Sequence, residues 1–192
     1  INMKHFLLFS LSTLLLLGCN IRPENNIEEL SYFNIEELLE AEIQYLIDEN
    51  AGLEKTVESN GNTDLLEIHP QTKDEWKSQF SLFYEANIDQ PGLRDAYREE
   101  ELTPLEGVRT KIFSARAKKS FVQTFEVIYN QDKLSQINIQ TQEENEIYSN
   151  YRTLKLFFDA EGKHIVGFDV TGDEDMRLKE PMKIHIQAVI TY

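Results

Sequence analysis

Phe121-Val-Gln-Thr-Phe-Glu-Val-Ile-Tyr129 and Met182-Lys-Ile-His-Ile-Gln-Ala-Val-Ile190 are the stretches that decide the fold. In the first, Phe121, Phe125, Val127 and Tyr129 fall on one side of an extended chain. In the second, Ile184, Ile186, Ala188 and Ile190 alternate with Lys183, His185 and Gln187, the cleanest period of two in the sequence. Such alternation marks a strand with one face buried and one wetted. The pattern spreads outward from both. Gln131-Asp132-Lys133 turns the chain into Leu134 to Thr141, where Ile137 and Ile139 share a side. Tyr148 to Phe158 follows with Leu154, Leu156 and Phe158, and Ala160 to Lys163 turns into His164 to Val170. The basic stretch from Val108 to Ala117 adds a further strand candidate. Consecutive strands joined by tight turns predict an antiparallel meander.

Ahead of Val108 the period is 3.6. Asn34 is a good N-cap with Glu37 three residues on, and Ile35, Leu38, Leu39, Ile43, Leu46 and Ile47 recur at spacings of three and four. Asn50-Ala51-Gly52 ends this helix, with Gly52 in the role of the residue beyond the cap. Leu53 to Ser59 and Thr63 to Ile68 flank Asn60-Gly61-Asn62, a hairpin signal. A second helix is predicted from Lys73 to about Ala86, placing Trp76, Phe80, Phe83 and Tyr84 on one face. Pro91-Gly92 then marks a turn. The fold class expected is α+β: an antiparallel meander sheet of about five to seven strands, with the N-terminal amphipathic helices packed on one face.

The first nineteen residues concern location. Lys4 and His5 lead into the apolar run Phe6 to Leu17, then Gly18 and Cys19, the order of a secretory signal. A run of this length falls short of the roughly 20 apolar residues that span a bilayer. Leu16-Leu17-Gly18-Cys19 resembles the lipobox of bacterial lipoprotein precursors, with Leu17 standing where Ala, Ser or Thr is commoner. The resemblance implies cleavage after Gly18, lipidation of Cys19 and a membrane attachment held by the lipid. Asn20 stands where an Asp retains lipoproteins at the inner membrane in the well-studied systems, so the expectation is an exported protein anchored in the outer membrane. Domain limits follow: 1–18 a signal peptide, with Ile1 and Asn2 extraneous to it; 19–33 the lipidated cysteine and a tether reaching roughly 45 Å when extended; 34–192 one α+β domain.

Composition bears on partners. Cys19 is the sole cysteine, so lipidation leaves no thiol for a disulfide, a metal or a nucleophile. The net charge is −15, and −16 once residues 1–18 with their single Lys are removed. That balance argues against nucleic acid, whose phosphates need clustered Lys and Arg. It also disfavours adsorption to anionic lipid through protein charge.

Trp76, Phe80, Phe83, Asn87-Ile88-Asp89, Pro91, Leu93, Tyr97, Ile147-Tyr148 and Leu154 form a pattern similar to small uncharacterised lipoproteins of the Bacteroidota. That resemblance carries no catalytic residue over. Nor do motifs supply one. The histidines beyond the signal, His69, His164 and His185, lack metal-ligand spacing, although His164 and His185 could meet across strands. Gly172-Asp-Glu-Asp175 reads as an acidic loop without the ladder of a calcium site. There is no G-x-S-x-G and no phosphate loop. The expectation is therefore no metal, no cofactor and no catalytic residue. Two groups remain as candidate contacts for a ligand or partner: the aromatics Trp76, Phe83, Tyr84 and Tyr97, which could also be core, and Arg109 with Lys111 on one strand face. Three functions follow from this reading. The first is a non-enzymatic, lipid-anchored envelope module that binds a protein or a small apolar ligand. The second is a carrier of apolar cargo in a helix–sheet groove, and the third an envelope hydrolase with a dispersed carboxylate or His site.

Overall fold

A computed structural model describes residues 32–177 and 179–192. Gly18, Cys19 and most of the expected tether lie outside them.

The described chain starts with helix α1, Ile35–Asp48, where the Asn34 Oδ1 accepts the Glu37 amide at 3.1 Å. Its stripe of Ile35, Leu39, Ile43 and Leu46 is buried. The left-handed residue at its end is Asn50, with φ +52°, so Gly52 is freed to open strand β1 instead. β1 (Gly52–Ser59) and β2 (Asn62–Ile68) form the hairpin that Asn60-Gly61 predicts, both turn residues having positive φ. The second helix is broken at Phe80 into α2 (Lys73–Gln79) and α3 (Ser81–Glu85). A 3-10 turn at Pro91–Leu93 leads into β3 (Tyr97–Leu105). Then follow β4 (Val108–Ala115), β5 (Val122–Asn130), β6 (Lys133–Glu144), β7 (Tyr148–Phe158), β8 (Ile165–Met176) and β9 (Met182–Thr191).

All nine strands pair antiparallel in one sheet of order β2-β1-β9-β8-β7-β6-β5-β4-β3. The expected α+β class with five to seven strands is thereby corrected. The described residues are mostly one nine-stranded sheet, and their α-helices are short, at 14, 7 and 5 residues. Two features of pairing account for the difference. The N-terminal hairpin joins the same sheet because β1 pairs with β9 over eight residues, Gly52 opposite Thr191 through Ser59 opposite Ile184. And β3, Tyr-Arg-Glu-Glu-Glu-Leu-Thr-Pro-Leu, is an edge strand wetted on both faces, so it shows no alternation.

Two adjacent rows across the sheet show how sequence sorts its faces. Ala188, Phe168, Leu156, Ile137 and Val127 lie side by side on five strands, all buried. They form one core cluster with the helix residues Leu39, Ile43, Trp76, Phe80 and Phe83. One residue along, on the opposite face, Thr56, Gln187, Asp169, Lys155 and Asn138 make a polar row. The short helices pack against the central strands on one face, and the other face is left to water.

Candidate functional site

The aromatic candidates go into the core. Trp76 and Phe83 are 0% and 1% exposed, and Tyr97 is 5%. Trp76 stacks on Phe80 at 6.0 Å, and Phe80 and Phe83 each meet Phe168 edge-on at 5.7 Å. The space between helices and sheet is filled there by rings. Trp76 Nε1 is buried with no acceptor among the described residues. Tyr84 is half-buried: its hydroxyl donates to Glu40 at 3.0 Å, and Lys77 stands 5.4 Å over its ring. Burial and the Glu40 bond push that phenol up. Glu40 itself is pulled down to about 2, chiefly by Lys73 and then Lys77, which join α2 to α1.

The basic candidates are paired within the chain. Arg109 lies 4.3 Å over the Tyr129 ring and reaches Glu101 at 3.5 Å and Asp132 at 3.8 Å. Lys111 reaches Glu99 at 3.4 Å. Each bridges from β4 to acids on or beside its neighbouring strands. The structure therefore does not bring the aromatic and basic candidates together into one site.

The histidines divide between the faces. His164 lies just before β8 and stacks on Tyr45 of α1 with centroids 3.6 Å apart. His185 is on the polar face opposite Thr171, its Nε2 2.6 Å from Asp169 and its Nδ1 3.7 Å from Glu58. The bond to Asp169 raises the His185 pKa above its ordinary 6.5, against a smaller opposing effect of burial. The two do not meet. The Gly172–Asp175 segment is strand rather than loop, with Asp173 opposite Tyr151 and Asp175 opposite Ser149.

One acid escaped the sequence reading. Glu42 points from α1 into the core, 5% exposed, and accepts the Ile165 amide at 2.9 Å and His164 Nδ1 at 3.3 Å. Desolvation raises its pKa, partly offset by those bonds. It fixes the start of β8 against α1, and its position between Leu39 and Ile43 on the apolar stripe was the available signal.

The described surface carries shallow concavities, one of about 220 Å³ lined by Tyr151, Arg152, Thr171 and Asp173 on the polar face. A groove of about 830 Å³ is lined by Lys118 and Lys119 together with Glu143, Glu144 and Glu146. Another of about 340 Å³ runs along the first hairpin between Glu54, Thr56, Leu65 and Glu67. The latter borders the outer edge of β2, where Leu65 and Leu66 are 79% and 47% exposed. Adjacent leucines in a strand of period two must face opposite ways, a signal present in the sequence that went unread. No protein-family model, curated protein sequence or solved structure matches the chain.

Proposed function

We propose that this chain is a lipid-anchored binding or assembly module of the cell envelope that works without catalysis. The reading is supported by one observation above the rest: packed rings fill the space between helices and sheet, while a polar face and, among the described residues, unpaired strand edges are presented outward. A carrier of apolar cargo needs an empty groove between helices and sheet. Trp76, Phe80, Phe83 and Phe168 occupy that space. The Leu-Leu-Gly-Cys sequence ending at Cys19 supplies the membrane attachment in this reading.

The test is crosslinking and recovery of the full chain in its own cells, with proteins and extractable lipids both identified by mass spectrometry. A reproducible protein partner is expected. A consistent bound lipid with no protein would overturn the reading in favour of the carrier. Cys19→Ala is expected to release the protein from membranes or leave it uncleaved. Membrane retention of that variant at the mature mass would remove the anchor from the account.

A further inference from the structure

We propose that the outer edge of β2 accepts an extended segment of a partner protein whose centre reads basic–apolar–apolar–basic, extending the sheet by a strand. The inference rests on the binding-module reading and adds the chemistry of the partner.

Among the described residues the sheet ends at β2, which pairs there only with β1. That pairing runs without a register shift from Leu53 opposite Ile68 to Ser59 opposite Asn62. A regular strand of this kind presents a straight row of amides and carbonyls on its far side, the template for strand addition. Asn62-Thr-Asp-Leu-Leu-Glu-Ile68 has no proline, no lysine and no bulge to discourage pairing. Leu65 and Leu66 project to opposite faces, so an incoming strand meets an exposed apolar side chain on each.

Charge selects the occupant. Asp64 and Glu67 bracket the two leucines. Glu67 lies directly opposite Glu54 on β1, a like-charge pair that is unfavourable in a sheet. Glu67 has His69 at 3.2 Å, an exposed contact, and Asp64 has no ion-pair partner among the described residues. The nearby cation Lys55 shares the helix-side face with Asp64 and Leu66, but it is turned to Gln79, to which it donates at 3.1 Å. A second copy of this chain would bring its own Asp64 and Glu67 to the seam and no cation, against a net charge of −15 on each molecule. An incoming strand with cations opposite Asp64 and Glu67 and apolar residues between them satisfies both features. Because the pattern is symmetric, it fits either strand direction.

The probe is a capped peptide, Thr-Lys-Val-Leu-Lys-Thr, compared with its Glu-for-Lys counterpart. Each is titrated into the isotopically labelled domain from residue 20 onward and followed by NMR. The Lys peptide is expected to shift amides of residues 62–68 and their β1 partners and leave residues 97–105 unmoved. The Glu peptide should bind at least about tenfold more weakly. Asp64→Lys with Glu67→Lys, both surface changes, should reverse that preference while leaving the remaining spectrum in place. No shift at 62–68 up to millimolar peptide, shifts centred elsewhere, or equal response to both peptides would overturn the proposal. If the peptides fail while in-cell crosslinking still recovers a partner, the edge inference falls and the module reading stands.

Discussion

The sheet has two ends, and they are built differently. At one, β3 is defended: its residues include Glu99, Glu100 and Glu101, Pro104 interrupts the amide row, and its register shifts between Leu102 and Leu105. Its first residue is also held from outside the sheet. The Tyr32 hydroxyl accepts the Tyr97 amide at 3.1 Å and donates to the Arg94 carbonyl at 2.6 Å, and Arg116 donates to the Tyr97 carbonyl. At the other end β2 is regular, with neither proline nor register shift, and it carries two acids, Asp64 and Glu67, around two adjacent exposed leucines. Proline, charge and irregularity are the means by which edges avoid pairing with other chains. Proline and a register shift on β3, and neither on β2, point to β2 as the edge kept available.

Breaking the comparison most severely means detaching the open edge from the sheet. Leu53 is fully buried and anchors β1 beside Ile190. Leu53→Ala should cost about 2–5 kcal/mol in urea unfolding. Leu102→Ala, at a half-exposed site on β3, should change stability by less than about 0.5 kcal/mol.

Glu42 gives the next effect. Glu42→Ala strands the buried Ile165 amide and should cost about 1–3 kcal/mol, whereas Glu42→Gln keeps an acceptor and should cost less. The pH dependence has a definite sign. Because its folded pKa lies above 4.5, Glu42 favours the fold most below that value, and this contribution is lost as pH rises through the raised value. Urea titrations across that range should show the dependence weakened in Glu42→Gln.

Tyr32→Phe removes the hydroxyl from the start of β3 while keeping the ring packed near Tyr97 and Phe113. A loss of about 1 kcal/mol is expected, with faster hydrogen exchange at Tyr97 and none of that change at residues 62–68. The smallest effect belongs to the polar face. Asp169→Asn should bring the His185 titration back toward 6.5, read by NMR. The raised pKa of His185 adds stability that is present below 6.5 and lost as pH rises through the folded value, so this variant should flatten that slope slightly.

Much of the local structure could be read from the chain, because it is decided locally. The Asn34 cap, the Asn60-Gly61 turn and the limits Tyr148–Phe158 of β7 follow from short-range patterns. What eluded the sequence depends on distant pairing. β3 is polar on both sides because it ends the sheet, and β1 finds β9 across more than a hundred residues. The strand after Val170 continues through Gly172-Asp-Glu-Asp175 because β7 and β9 flank it on both sides, overriding its loop-like composition. The candidate contacts were less legible still. Helical spacing of aromatics reads the same for a pocket as for a core, and here Trp76 and Phe83 are buried.

Leu65 and Leu102 are exposed leucines on the two opposite edge strands, a matched pair for the decisive measurement. A photocrosslinking residue placed at each position, in the full chain expressed in its own cells, should give a discrete protein adduct from position 65 and none from position 102. Adducts from position 102 alone, or equal adducts from both, would contradict the account.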